Sequence, residues 1–111
     1  MAGEVEDISD ENYESIIQSP ASIVAYGIAS CEPCLAYDPV LLSIAARYPH
    51  IRVGKAKMHV PGRCKDIKKR HTFETYPTTH LFSKGQILHT HEGKLEDQDL
   101  AKLLEQHFPN S

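Results

Sequence analysis

The chain has 111 residues, of which 41% are hydrophobic and 24% charged, which fits one folded domain and excludes a disordered chain. Its formal net charge of -3 with histidine neutral is too small to favour nucleic acid or an anionic membrane surface as a partner, and no apolar run approaches the roughly 20 residues of a spanning helix. We therefore expect a single domain over residues 1–111, monomeric, with residues 1–7 as a flexible lead.

Hydrophobic periodicity divides the chain into strands and helices in alternation. The predicted elements are strand 5–8, helix 10–18, strand 22–28, helix 33–48, strand 51–58, helix 63–71, strands 77–82 and 86–91, and helix 96–108. Ser9 or Asp10 is expected to cap the first helix. The run 22–28 is apolar throughout, which is typical of a strand buried on both faces. Pro33 suits the first turn of the helix that follows. The residues expected on its buried face are Leu35, Ala36, Val40, Leu41, Ile44, Ala45 and Tyr48.

This order of elements limits the possible topologies. Strand–helix–strand units imply parallel pairing with right-handed crossovers, and the two strands joined by the turn 83–85 form an antiparallel hairpin. The sequence therefore predicts an α/β fold in which a central mixed β-sheet is flanked by helices on both faces.

Two of the three cysteines, Cys31 and Cys34, lie where strand 22–28 meets the next helix. At a helix start, free backbone N–H groups and the positive end of the dipole stabilise a thiolate, and they can lower a cysteine pKa from about 8.5 to about 7 or below. Cys34 lies one turn further on, close enough to attack the first sulfur. The spacing therefore predicts dithiol/disulfide exchange, with Cys31 as the nucleophile and Cys34 as the resolving thiol.

Two other interpretations of this pair remain open: inert buried thiols, and a metal site. Zinc usually takes four ligands, and although His89 and His91 share one face of a predicted strand, no fourth ligand is evident, so we expect no metal. Cys64 is expected to be a small buried hydrophobic residue, with a second redox-active or dimer-forming thiol as the alternative. The basic segment 65–70 is expected to be a solvated helix face.

The sequence resembles the thioredoxin family from about residue 8 to residue 108. The features that carry the resemblance are Ile23-Val24-Ala25-Tyr26 before Cys31-Glu32-Pro33-Cys34, the kink proline Pro39, the segment Tyr76-Pro77-Thr78 and the late glycine Gly93. The resemblance implies a thioredoxin fold with a cis Tyr76–Pro77 bond held against the cysteine pair. It also implies that Tyr76 and Pro77, together with Glu32 and Pro33, bind an extended stretch of substrate.

Some positions depart from the family's pattern. The buried aspartate that the family places beneath its resolving cysteine corresponds to Ala25, whereas its partner lysine corresponds to Lys55. Glu32 stands in place of a glycine, and the chain has no tryptophan. Because that aspartate is thought to accept the proton of the resolving thiol, we expect slow resolution at Cys34, and acceleration by Ala25→Asp.

The resemblance implies a thiol–disulfide oxidoreductase that reduces protein disulfides through a mixed disulfide, without a cofactor of its own. A flavin-containing thioredoxin reductase would supply the electrons, since the chain has no Gly-x-Gly-x-x-Gly fingerprint for a dinucleotide. The acidic N-terminal segment lacks the pattern of a secretory signal, which predicts a cytoplasmic location. The main alternative is a thioredoxin-fold binding or assembly module with little turnover; an oxidase, isomerase or metal carrier is a third possibility.

Overall fold

The computed structural model describes residues 3–109, and within them the elements follow the predicted order. They are β1 (Val5–Ile8), α1 (Tyr13–Ile17), β2 (Ser22–Gly27), α2 (Glu32–Arg47), β3 (Arg52–Lys57), α3 (Lys65–Arg70), β4 (Thr78–Ser83), β5 (Gln86–Glu92) and α4 (Asp97–His107). Of the lead expected to be flexible, residues 5–7 belong to a paired strand, and residues 1 and 2 lie outside the described part. No helix within residues 3–109 combines the length and apolarity needed to cross a membrane.

The five strands form one mixed sheet in the order β1-β3-β2-β4-β5. β3 pairs in parallel with β1 and with β2, whereas β4 pairs antiparallel with β2 and with β5. The expected parallel arrangement holds for β2–α2–β3. It is wrong for β3–α3–β4, because β4 runs antiparallel to β2 and therefore opposite to β3. β4 and β5 are joined by a tight turn and form the expected antiparallel hairpin. The predicted α/β architecture is confirmed.

The central strand β2 supplies side chains to both layers of the core, and all six of its residues are buried. Ile23 and Ala25 pack with α2 and α4 on one face of the sheet, while Val24 and Tyr26 pack with α1 and α3 on the other. Successive side chains of a strand point to opposite faces, so a strand that is apolar throughout can serve two cores. The cysteine pair therefore follows directly on the best-buried strand of the sheet.

The first helix is shorter than predicted. α1 begins at Tyr13, and Asn12 before it makes no capping hydrogen bond with its side chain. The prediction that Ser9 or Asp10 caps this helix is wrong, because Asn12 occupies the N-cap position. Asp10 Oδ1 instead accepts the backbone N–H groups of Asp66 and Ile67, at 3.1 and 3.2 Å. Those groups lie in the first turn of α3, where a carboxylate satisfies free donors and complements the dipole. Asp10 thus fastens the segment before α1 to α3.

The inward face of α2 also differs from the expected one. Its buried residues are Cys34, Tyr37, Leu41, Ile44 and Ala45. The prediction that Leu35 and Ala36 face the core is wrong, since Leu35 is 57% exposed and Ala36 is also exposed. With Cys34 facing the sheet, the next inward positions come three and seven residues later, and Leu35 is rotated by about 100° from that line. Leu35 therefore lies on the surface beside the cysteine pair.

Candidate active site at Cys31 and Cys34

Cys31 and Cys34 are joined by a disulfide at the start of α2, with their Cα atoms 5.2 Å apart. Cys31 is the N-cap residue and has extended backbone angles, and its Sγ accepts the backbone N–H of Cys34 at 3.2 Å. A sulfur thus takes the position that a serine or aspartate oxygen usually occupies at a helix start. Negative charge on this sulfur in the reduced protein would be stabilised by that N–H and by the helix dipole.

The two cysteines differ in exposure. Cys34 is 3% exposed, whereas Cys31 is half-buried. Gly27, the last residue of β2, lies against the inner cysteine, because a Cβ atom built on it would come within 3.2 Å of Cys34 Sγ. The glycine therefore permits a close approach between β2 and α2. An incoming disulfide can reach Cys31 from solvent, and Cys34 can reach Cys31 from inside.

The loop before β4 closes the site from the other side. The Tyr76–Pro77 peptide bond is cis, as predicted, and the Tyr76 carbonyl oxygen lies 3.5 Å from Cys31 Sγ. Pro77 is buried and lines a small cavity next to Cys34. The structure thus brings the predicted loop residues to the cysteine pair. Glu32 and Pro33 are exposed in the first turn of α2, next to Cys31.

Beneath Cys34, the structure places a carboxylate that the sequence reasoning missed. Ala25 is 2% exposed and lies opposite Lys55 in the pairing of β2 with β3. Lys55 Nζ donates a hydrogen bond of 2.7 Å to Asp38 Oδ1. Ala25, Asp38 and Lys55 line the cavity beside Cys34. The spacing in the sequence could have revealed this carboxylate, because Asp38, four residues after Cys34, lies on the same face of the helix as Cys34.

A buried polar network lies on the opposite face of β2. The Tyr26 hydroxyl is 2.7 Å from the Tyr13 hydroxyl and 2.9 Å from His80 Nδ1, and His71 Nε2 is 3.1 Å from the Tyr13 hydroxyl. Burial lowers the pKa of His80 to about 4, so its ring is neutral near neutral pH. The Phe73 ring lies 4.4 Å from that of Tyr26, measured between centroids. The network therefore ties α1, β2, β4 and the segment after α3 together.

The third cysteine is part of the core. Cys64 is 1% exposed, its Sγ lies 3.9 Å from the Ile8 carbonyl oxygen and 3.8 Å from that of Lys57, and burial raises its thiol pKa. This placement fits the expected role as a small hydrophobic residue. Throughout the described residues, no group of three or more His, Cys, Asp or Glu side chains is arranged to hold a metal ion.

Alkylation of the reduced protein at neutral pH should label Cys31 first. Cys31 is the most accessible of the three cysteines and lies at the helix start, whereas Cys34 and Cys64 are 3% and 1% exposed. Peptide mass spectrometry after short exposure to iodoacetamide measures the order of labelling. In denaturant the three thiols should react at similar rates, which controls for local sequence effects. Faster labelling of Cys34 or Cys64 in the folded protein would reverse the assignment of the nucleophile.

The family model for thioredoxin matches residues 4–106. The chain belongs to the thioredoxin family. A thioredoxin from Chlamydia pneumoniae is 30% identical over 105 residues, which cover 93% of this chain and 98% of that relative. The match therefore extends over nearly the whole length of both chains.

Solved structures confirm the thioredoxin fold. Thioredoxin f2 from Chlamydomonas reinhardtii has a TM-score of 0.83 at 17% identity, over 96% of this chain and 99% of that one. A thioredoxin f2 in a complex with ferredoxin:thioredoxin reductase has a TM-score of 0.82 at 15% identity, over 95% and 96% of the two chains. Membership of the thioredoxin family, together with the Cys31–Cys34 disulfide, supports thiol–disulfide oxidoreductase activity.

Proposed function

We propose that this member of the thioredoxin family reduces disulfides in protein substrates. The observation that carries the proposal is the position of Cys31 Sγ, which is accessible, accepts the Cys34 N–H and lies 3.5 Å from the Tyr76 carbonyl oxygen. A thiolate at this position would be stabilised by the helix start. The backbone of Tyr76 lies beside it, where an extended peptide could pair with it as an added strand.

The proposed reaction transfers two electrons in two exchange steps. The Cys31 thiolate attacks one sulfur of the substrate disulfide, a bond forms between Cys31 and that sulfur, and the other substrate sulfur leaves as a thiolate that takes up a proton. Cys34 then loses its proton and attacks Cys31 Sγ. The mixed disulfide breaks, the second substrate thiolate leaves, and the Cys31–Cys34 disulfide remains. The disulfide form described above is the oxidised product of this cycle.

The proposed substrate surface surrounds Cys31. It comprises Tyr76 and Pro77 on the loop before β4 and the exposed residues Glu32 and Pro33 on α2. Leu35, 57% exposed, adds an apolar side chain on the side of the cysteine pair that faces Ile28 and Lys57. A substrate segment whose backbone pairs with Tyr76 would lie across Cys31.

The oxidised form needs an electron donor to return to the dithiol. We propose a thioredoxin reductase of the flavin-containing kind as that partner, and the thioredoxin f2 solved with ferredoxin:thioredoxin reductase supports a reductase as a partner for this fold. Such a cycle fits the cytoplasm, where thiols are kept reduced. There the protein would take part in electron transport to disulfides and in redox homeostasis.

A binding or assembly module with little turnover is the second candidate function. It is favoured by Ala25, which leaves β2 without a carboxylate beneath the resolving cysteine, and by the absence of tryptophan from the sequence. In that case the fold would hold a partner protein, and the cysteine pair would exchange slowly.

A turnover assay separates the two functions. We expect catalytic amounts of the protein to reduce a standard disulfide-containing protein faster than dithiothreitol does alone, and also with thioredoxin reductase and NADPH as the electron source. Protein alkylated at its cysteines is the control, and it should show only the background rate. A protein that binds the substrate but leaves the background rate unchanged with both donors would favour the binding module.

A further inference from the structure

Resolution of the mixed disulfide places a specific demand on Cys34. Its thiol must lose a proton before its sulfur can attack Cys31, yet Cys34 is 3% exposed. Burial disfavours the charged thiolate, and bulk water has little access to the sulfur. A proton acceptor held within the structure would therefore accelerate this step, and the side chains around Cys34 show which groups could serve.

A small cavity of about 10 Å³ lies beside Cys34. The other ionisable residues that line it are Tyr26, Tyr37, Asp38 and Lys55. Tyr37 donates to or accepts from Thr79 Oγ1 at 2.8 Å, and burial raises its pKa to about 12. The Tyr26 hydroxyl is engaged on the opposite face of the sheet, and the Lys55 ammonium is a donor. Among the described residues that line the cavity, Asp38 is the one that carries a carboxylate.

The position of Asp38 suits a proton acceptor. It lies four residues after Cys34 in α2, and side chains at this spacing are neighbours, with Cβ atoms about 5–6 Å apart. Lys55 Nζ donates a hydrogen bond of 2.7 Å to Asp38 Oδ1. The Asp38 side chain is 36% exposed and the Lys55 side chain 22% exposed. A carboxylate has capacity for further hydrogen bonds beyond this one. The methyl group of Ala25 leaves the inner wall of the cavity without a competing charge.

We propose that Asp38 accepts the proton of Cys34 and that Lys55 positions the carboxylate; the inference rests on the proposed reductase function. The S–H bond of Cys34 breaks, the proton passes to Asp38, and the sulfur electron pair forms the bond to Cys31 Sγ. The bond between Cys31 and the substrate breaks, and the departing substrate thiolate receives the proton. The resemblance to the family implies an acceptor on the strand at the place of Ala25, whereas the carboxylate of this chain lies on α2.

Asp38→Asn tests the proposal, because it keeps the size of the side chain and removes its basicity. Single-turnover reduction of a disulfide substrate, followed from about pH 6 to about pH 9, resolves formation and decay of the mixed disulfide separately. We expect formation to change by less than about twofold and decay to slow by about 10- to 100-fold near pH 7. The deficit should shrink toward high pH as the Cys34 thiol ionises without help. Asp38→Glu should restore most of the decay rate.

The matched control is Asp97→Asn. Asp97 is a carboxylate of α4 that pairs with Arg47 at the end of α2 farthest from the cysteine pair. It should leave both rates and their pH profiles unchanged. If the wild type does not reduce the substrate disulfide, the proposed function fails. If the wild type turns over and Asp38→Asn resolves at the wild-type rate across the pH range, the function stands and the role of Asp38 is overturned.

Ala25→Asp should have only a small effect if Asp38 accepts the proton. With Asp38 present, a second carboxylate at position 25 should add little to the rate at which the mixed disulfide decays. A tenfold or greater acceleration by Ala25→Asp alone would mean that Asp38 does not serve as the acceptor, and would overturn the proposal.

Discussion

Replacing Cys31 with serine should lower the rate of disulfide reduction by at least about 1,000-fold, the scale on which enzymes lose activity without their nucleophile. The thiolate is the attacking species in disulfide exchange, and a serine hydroxyl does not replace it at neutral pH. No other cysteine can substitute among the described residues, since Cys34 and Cys64 are 3% and 1% exposed. The turnover assay with dithiothreitol and with a reductase measures the loss.

Cys34→Ser should stop the same reaction at its midpoint. Cys31 can still attack, but nothing resolves the mixed disulfide, so a covalent adduct with the substrate should accumulate and disappear on treatment with excess dithiothreitol. Non-reducing electrophoresis and intact-mass measurement detect the adduct. Cys64→Ser is the matched control and should retain turnover within about twofold, because its thiol is buried away from the site and takes no part in exchange. An adduct with Cys31→Ser instead would exchange the roles of the two cysteines.

Acidification should remove about 2–3 kcal/mol of stability through His80 alone. His80 is 5% exposed, and burial lowers the pKa of its imidazole from 6.5 to about 4 in the folded protein. As the pH falls below about 6.5, the unfolded chain takes up a proton at this position while the folded protein does not. The unfolded state therefore binds more protons between these two values. The free energy of unfolding should be highest above about pH 7 and should fall as the pH decreases toward about 4.

A neighbouring histidine acts in the same direction. The centroid of the His71 ring lies 5.0 Å from that of His80, so a charge on one imidazole disfavours a charge on the other. Burial, and then the charge of Arg70, lowers the pKa of His71 as well. His71 should therefore add to the acid sensitivity that His80 produces.

Urea unfolding from about pH 7.5 to about pH 4.5 measures this dependence. Carboxylates such as Glu6, whose pKa the Arg52 side chain lowers, begin to contribute only near the lower end of this range. His80→Gln keeps a polar group facing Tyr26 but does not titrate, so the variant should be less stable at pH 7. Its free energy of unfolding should fall by about 2–3 kcal/mol less than that of the wild type over this pH range. His59→Gln, at an exposed position, should retain the wild-type slope. Equal slopes for His80→Gln and the wild type would contradict the assignment.

The order of elements and the cysteine pair could be predicted from the sequence because both are encoded locally. Strand 22–28 is apolar over its whole length, and the pair follows it directly. The inward face of α2 was harder to predict, because Leu35 and Ala36 are apolar and only the orientation of Cys34 toward the sheet decides which side is buried. A stretch of helix with apolar residues on adjacent positions does not specify its face by periodicity alone.

Tertiary contacts account for the features that the sequence did not reveal. Asp10 caps α3 across 56 positions of the chain, and Asp38 meets Lys55 only because α2 packs over β3. Such partners depend on the topology, whereas capping rules read from sequence consider only the nearest helix. The same limit applies to the Tyr26–His80 pair, which comes together through the antiparallel pairing of β2 with β4.

The location of β2 between two cores has a consequence for local unfolding. It forms hydrogen bonds to β3 on one side and to β4 on the other, and all six residues are buried. Opening such a strand requires disrupting both layers at once, so its amide hydrogens belong to the unit that exchanges only when the whole molecule unfolds. The cysteine pair is thus attached to the segment least able to fluctuate, and motions that admit and release a substrate would come from the surrounding loops rather than from β2.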